Sequence, residues 1–122
     1  MTKKVVVRPL GPRIRIVLAP GFVFGPGKAD LLTAIGETGS LAKAAKQFAM
    51  SYKRAWTLVH EMNDAFAKPL VETEKGGSGG GGGASLTPLG QRIMTCYRQM
   101  EADAARAMQG GIADLRRHLK KK

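Results

Sequence analysis

The stretch Ser40-Leu41-Ala42-Lys43-Ala44-Ala45-Lys46-Gln47-Phe48-Ala49-Met50-Ser51-Tyr52-Lys53-Arg54-Ala55-Trp56 decides the fold. Ser40 is an N-cap residue, because its hydroxyl can accept a backbone N–H that a first helical turn leaves without a partner. Leu41, Ala44, Ala45 and Phe48 then recur at the spacing of one helical face, which predicts a short helix ending near Phe48. Ser51 is a second N-cap. It opens a longer helix, predicted from Tyr52 to Phe66, and Pro69 forbids continuation much past Ala67. Ala44 and Ala45 are small enough for one helix to cross the other closely, and Ala49-Met50 makes a short turn. Two such helices form a helix-turn-helix.

In that arrangement the first turns of the second helix reach base edges in the major groove of DNA. Ser51, Lys53, Arg54 and Thr57 form a polar outer face there. Lys53 or Arg54 suits guanine O6 and N7, and Thr57 suits a thymine methyl. Ser40, Lys43, Lys46 and Tyr52 are the candidate contacts to the DNA backbone, and Ser51 at its helix N-terminus also suits a phosphate. Tyr52, Ala55, Trp56, Val59, Met62 and Phe66 make the expected inner face, with Trp56 as its core anchor. Glu61 and Asp64 repel phosphate and confine base contacts to the first two turns, or leave Glu61 to accept from a cytosine amino group. His60 is expected to be an ordinary exposed histidine.

Upstream, Arg13, Arg15 and Val17 alternate with Ile14, Ile16 and Leu18, which predicts a half-buried strand over 13–18. Pro20, Gly21, Gly25, Pro26 and Gly27 predict a loop over 19–27. A helix is expected from Lys28 to Gly36, with Leu31, Leu32 and Ile35 inward. Downstream, Leu70 to Lys75 and Ala84 to Leu86 read as two short strands. Between them stand Gly76, Gly77, Ser78, Gly79, Gly80, Gly81, Gly82 and Gly83, which hold seven of the sixteen glycines in eight positions. A strand, a flexible tip and a return strand after a reading helix make a wing. Glycines let its backbone approach a phosphate or enter a minor groove without steric cost. Thr87 caps a last helix with Pro88 at its first position, expected to run to Met108 and to be broken by Gly110 and Gly111. Its stripe Leu89, Ile93, Tyr97, Met100, Ala104 and Ala107 has near-heptad spacing. That stripe either covers the domain's own core or pairs two subunits, and one helix can do both along its length. Cys96 is expected to be a small buried hydrophobe.

The predicted fold class is mainly α with a small β-sheet, a winged helix-turn-helix with a long C-terminal dimerisation helix. The 122 residues suit one domain, divided into a basic arm (1–12), the winged domain (13–108) and a basic tail (109–122). Twenty Lys plus Arg against nine Asp plus Glu give a net charge of +11. That exceeds what solubility requires and asks for an acidic partner. Lys3, Lys4, Arg8, Arg13 and Arg15 load one end, and Arg116, Arg117, Lys120, Lys121 and Lys122 the other. One cysteine and two histidines exclude an intramolecular disulfide and a multi-cysteine zinc site. No apolar run is long enough to span a membrane, and the start is too short in apolar residues for a signal peptide. A cytoplasmic protein with no membrane partner is therefore expected. No Ser/His/Asp order, Cys/His pair or phosphate-loop motif is present, so no enzyme, cofactor or metal is expected. The seven aromatics fall mostly on apolar faces, unlike the stacking platforms of single-strand readers. A non-specific nucleic-acid-binding or nucleoid-associated protein is the alternative to a sequence-specific duplex reader.

Gly39-Ser40-Leu41 through Ala44-Ala45, Met50-Ser51-Tyr52-Lys53-Arg54-Ala55-Trp56 and Glu61-Met62-Asn63 together resemble the N-terminal DNA-binding domain of ModE-type, molybdate-responsive transcriptional regulators. Leu70-Val71-Glu72, the glycine-rich wing and Leu86-Thr87-Pro88-Leu89-Gly90 follow in the same order as in that family. LysR-type regulators are more distantly similar in the helix-turn-helix. The resemblance covers roughly Ile14 to Met100. It implies a homodimeric winged helix-turn-helix transcription factor that binds double-stranded DNA, pairs its subunits through the helix after the wing and is linked to molybdenum metabolism. Molybdate-sensing members carry a second, C-terminal oxyanion-binding domain. Only about fifteen residues follow Ala107, so a stand-alone DNA-binding module is expected, without molybdate sensing by that route.

Overall fold

Three side-chain caps set the helical framework. In the computed structural model, which describes residues 10–74 and 83–121, Ser40 Oγ accepts the Lys43 N–H at 3.1 Å and Ser51 Oγ accepts the Arg54 N–H at 3.0 Å. Thr87 Oγ1 accepts the Gly90 N–H at 2.9 Å. The elements in chain order are β1 (Ile16–Ala19), β2 (Phe22–Phe24), α1 (Pro26–Thr38), α2 (Leu41–Gln47), α3 (Tyr52–Ala65), β3 (Val71–Thr73), β4 (Ala84–Leu86) and α4 (Pro88–Arg117). This is a winged helix-turn-helix: a mainly helical domain with two small antiparallel sheets, β1–β2 and β3–β4.

Several boundaries differ from the sequence reading. β1 spans Ile16–Ala19 rather than 13–18. β3 is Val71–Thr73 rather than Leu70 to Lys75, of which Lys75 lies outside the described residues. Three further differences carry a physical reason. The expected loop over 19–27 contains β2, which pairs with β1 in the register Ile16↔Phe24, Val17↔Val23 and Ala19↔Phe22. Pro20 and Gly21 form only the turn, with Gly21 at φ 79°, a left-handed value that favours glycine. Phe22-Val23-Phe24 is too short to show a period, so the surrounding breakers masked it. Second, α1 begins at Pro26 and passes through Gly36 to end at Gly39, whose φ is 69° and whose N–H bonds the Ile35 carbonyl. Proline at a first helical position is compatible with helix, which is why the start precedes Lys28. Third, Gly110 and Gly111 do not break α4, which continues to Arg117. Each costs about 1 kcal/mol relative to alanine in a helix, too little to stop a long helix that continues on both sides. The expected division at 108/109 therefore falls inside α4.

The core lies where α1, α2, α3 and the wing base meet. Leu31, Leu32, Ile35, Leu41, Ala44, Ala45, Ala55, Val59, Met62 and Leu70 are buried. On its hairpin side, Phe24 meets Phe66 and Tyr97 edge-on, with ring centroids 6.3 and 5.3 Å apart. Ile16 packs against the core, but Val17 and Leu18 are exposed, so β1 covers less than its alternation suggests.

The wing base is fixed by backbone bonds. Asn63 of α3 accepts from the Leu70 and Val71 N–H groups at 2.8 and 3.2 Å and donates to the Val71 carbonyl at 3.1 Å. β3 and β4 pair with Val71↔Leu86, Glu72↔Ser85 and Thr73↔Ala84. The Ala84 N–H reaches the Gly39 carbonyl at 2.9 Å, tying the wing to the end of α1.

The start of α4 closes the domain. Leu89, Ile93 and Met94 pack against the core and Tyr97 is buried in it. Tyr97 Oη donates to the Ile14 carbonyl at 2.5 Å. Burial, and next to it the Glu101 carboxylate, push this phenol above its ordinary pKa, so it stays a donor. Arg98 bonds Asp30 at 2.9 Å and Thr33 at 3.0 Å on α1, and Glu101 at 3.0 Å on its own helix. Burial opposes the charge on Arg98, but the bonds to Asp30 and Glu101 outweigh it and hold the guanidinium above its ordinary pKa.

Gly90 is the tightest point of this closure. A Cβ placed there would lie 2.1 Å from the Leu70 carbonyl oxygen and 2.9 Å from its carbon. Backbone cannot yield as a side-chain tip would, so G90A is expected to destabilise the fold by about 3 kcal/mol. Chemical denaturation of the two proteins tests this, and an unchanged midpoint would show that the closure is looser than described.

Candidate nucleic-acid interface

The reading helix of a helix-turn-helix must be anchored on one face and bare on the other. On α3, Ala55, Leu58, Val59 and Met62 are buried, and Ser51, Tyr52, Lys53, Arg54, Trp56, His60, Glu61 and Asp64 are exposed. Lys53 and Arg54 therefore stand outward on the first turn, with half-buried Thr57 one turn further on. Lys43 and Lys46 are exposed on α2. Ser40 is half-buried, with its hydroxyl committed to the α2 cap, and Ser51 Oγ caps α3 in the same way.

The inner face is rotated from the one expected. Trp56 is not the core anchor: it is 45% exposed, and Tyr52 is 55% exposed. Leu58 takes the buried place. Ala55, Val59 and Met62 face inward in either arrangement; the packing of α3 against α2 turns the rest of the buried arc toward Leu58 and leaves the aromatic side open. Trp56 instead lies flat against His60, with ring centroids 3.5 Å apart and planes at 25°. His60 Nδ1 is 3.0 Å from the Trp56 carbonyl, which fixes the histidine ring under the indole. The outer face of α3 thus carries an aromatic stripe, Tyr52, Trp56 and His60, beside its two cations. The i, i+4, i+8 spacing of these residues is the available signal, concealed by the expectation that Tyr52 and Trp56 face the core.

Glu61 does not stand alone on this face, because Lys28 Nζ lies 3.8 Å from its carboxylate. The α2–α3 turn depends on Ala49, which sits in the left-handed region at φ 52°. The Met50 N–H then reaches back to the Ala45 carbonyl at 3.0 Å. This conformation costs a residue bearing a Cβ about 1–2 kcal/mol.

Of the wing-tip residues, Gly76, Gly77, Ser78, Gly79, Gly80, Gly81 and Gly82 lie outside the described residues. Gly83 is described, and the Glu74 N–H reaches its carbonyl at 2.8 Å. The α4 stripe divides. Leu89, Ile93 and Tyr97 serve the domain's own core, whereas Met100 is exposed and Ala104 half-buried. Beyond them Met108 and Leu115 are exposed. Cys96 is exposed rather than buried, because the face of α4 that meets the core is taken by Ile93, Met94 and Tyr97. Among the described residues no helix is long and apolar enough to cross a membrane, and no group of three His, Cys, Asp or Glu side chains is placed to hold a metal ion.

A capped helix pair with a tight turn, followed by a strand pair and a long helix, defines a winged helix-turn-helix protein. The chain belongs to the bacterial regulatory helix-turn-helix proteins of the lysR family, whose pattern matches residues 28–91. It is 42% identical over 88 residues to the molybdenum-pterin-binding protein MopB of Rhodobacter capsulatus, covering 72% of this chain and 32% of that protein. It is 44% identical over 72 residues to the DNA-binding transcriptional dual regulator ModE of Escherichia coli K12, covering 59% and 27%. The molybdenum transport protein ModE of Azotobacter vinelandii is 42% identical over 88 residues, with 72% and 32% covered. These similarities agree with the ModE-type resemblance in the sequence. The chain spans about a third or less of the length of these curated relatives.

Two outcomes follow from the geometry of the turn and of α3. A49G is expected to raise stability by about 1 kcal/mol, since it relieves the left-handed strain at the cost of a more flexible unfolded chain; a lowered melting temperature would contradict the assigned backbone. W56A is expected to cost about 1 kcal/mol, well below the 3–5 kcal/mol of a truncated core tryptophan. Denaturant titration distinguishes the two values.

Proposed function

We propose that the chain is a transcriptional regulator that binds double-stranded DNA sequence-specifically as a homodimer, with α3 in the major groove. The observation that carries this reading is the bare, cationic first turn of a helix anchored by four buried side chains. Lys53 and Arg54 serve as the guanine readers and Thr57 contacts a thymine methyl, the pairings that base-edge geometry favours. Lys43 and Lys46 on α2, with Ser40, Ser51 and Tyr52 near the helix starts, hold the flanking phosphates and set the register. Trp56 joins the contact surface because it is exposed on the same face.

The overhanging part of α4, with Met100, Ala104, Met108 and Leu115, supplies the subunit contact. Pairing through that face places two reading helices on half-sites about one helical turn, roughly 34 Å, apart. The names of the relatives point to genes of molybdenum metabolism as the regulated set. The net charge of +11 supplies the sequence-independent part of the affinity, and the proposed place of action is the cytoplasm. No catalytic step and no cofactor of its own enters this reading.

Selection of binding sites from random duplex DNA is expected to return a palindromic consensus, and K53E/R54E to lose at least about a hundredfold in affinity for it. Glutamates in the first turn are compatible with the positive end of a helix, so this variant keeps the fold, which circular dichroism checks. Equal affinity of the wild type for unrelated duplexes, or an undiminished affinity of K53E/R54E, would overturn the assignment.

A further inference from the structure

Beside the reading helix lies a groove of about 470 Å³, bounded by the chain entering β1, the start of α1 and the start of α3. Its lining includes Arg13, Arg15, Lys28 and Arg54, and no carboxylate. We propose that this groove is a tetrahedral-oxyanion site, which in the DNA complex seats a backbone phosphate adjacent to the major-groove contact. The source assigned to that phosphate rests on the DNA-binding reading above. The oxyanion site itself does not.

Four cations from three separate segments converge on one space. Like charges held together repel, and two of these four are only loosely compensated. Arg13 lies 3.7 Å from Asp30 and Lys28 lies 3.8 Å from Glu61, both beyond hydrogen-bond distance. Arg15 and Arg54 have no carboxylate partner among the described residues. An anion carrying several oxygens is shared among Arg13, Arg15 and Lys28, which leaves the Arg54 head for a base edge, and guanidinium groups match phosphate in a bidentate fashion. The remaining wall is consistent with this. Gly25, Pro26 and Gly27 open α1 into the groove, and that helix has neither a side-chain cap nor an acidic residue in its first turn.

Position argues for the phosphate of a bound duplex. Met50, Arg54 and Leu58 line the groove, so it is continuous with the α2–α3 turn and with the first turns of the reading helix. When α3 occupies a major groove, the strand bordering that groove brings its phosphates to this side. Arg13 and Arg15, which precede β1, thereby gain a role distinct from that of a diffuse basic arm.

The test uses the full chain with R15Q and K28Q. Arg15 is exposed, so R15Q keeps the fold even where K28Q loses the packing of Lys28 on the Phe22 ring. Binding to the selected duplex and to an unrelated one is measured against salt, and inorganic phosphate is titrated without DNA while the amide resonances of Gly25, Gly27 and Lys28 are followed. Each variant is expected to lower the salt slope, by no more than the roughly 0.9 that one phosphate supplies, to weaken both duplexes by the same factor and to leave sequence preference intact. Phosphate is expected to shift the three amides in the wild type and to do so less in R15Q. A changed slope without a phosphate response assigns the site to DNA phosphate alone, and a phosphate response with unchanged slopes assigns it to a free oxyanion. Unchanged slopes together with silent amides overturn the site. Should the wild type bind no duplex at all, the regulator reading fails while the phosphate titration still decides the groove.

Discussion

The backbone of Leu70 is held from two helices at once, and the rest of the domain is arranged around that hold. From α3, Asn63 accepts the Leu70 N–H. From α4, the Thr87 N–H bonds the Leu70 carbonyl at 2.9 Å and the bare Cα of Gly90 lies against the same peptide. Thr87 Oγ1 meanwhile donates to the Pro69 carbonyl at 2.7 Å and caps α4. Two short polar residues, Asn63 and Thr87, and one glycine thus fix the angle between α3, the wing and α4. Because these bonds are backbone-directed and buried, losing one leaves a polar group without a partner, at a cost of about 1–3 kcal/mol. That penalty makes the junction rigid in a way that apolar packing alone does not.

Much of this architecture was legible because it is punctuated by residues with one dominant physical use. Ser40, Ser51 and Thr87 cap, Gly39 ends a helix, and Pro88 begins one. β4 was read to the residue and α2 to within one at its end. The features that escaped were those whose residues admit two uses. Phe22-Val23-Phe24 could be loop or strand, and only its pairing with β1 decides. Gly110 and Gly111 could stop a helix or be carried by it, and the continuing helix decides. Trp56 is the most instructive of these, since a large aromatic at helical spacing is ordinarily core. Whether Trp56 or Leu58 faces inward depends on how α3 packs against α2, a tertiary property that no local pattern encodes. The outward placement of Lys53, Arg54 and Thr57 was nevertheless legible, because the opposite face is fixed by Ala55, Val59 and Met62 under either reading.

Charge was the least localised signal in the sequence and became local only with the fold. An excess of +11 says that an anion is wanted but not where. The structure sorts the described cations into different tasks. Arg98 is spent internally, fastening α4 to α1 through Asp30 and Thr33. Arg117 pairs along its own helix with Asp114. Lys43, Lys46, Lys53 and Arg54 stand outward around the helix-turn-helix. The two roles differ in their response to salt, because partly buried pairs are screened far less than exposed ones.

α4 has a mechanical consequence of its own. Its thirty residues amount to about 45 Å at 1.5 Å per residue, yet the contacts that fasten it to the domain end near Arg98 and Glu101. Among the described residues the remainder has no such fastening and is a cantilever, clamped at the Leu70 junction. Bending of such a beam concentrates where it is weakest, and the adjacent Gly110 and Gly111, with the least helical preference short of proline, lie well out along it. A load applied beyond those glycines is absorbed there as curvature. A load applied between Met100 and Met108 is instead transmitted as torque to the clamp, and through it to the helix that carries Lys53 and Arg54.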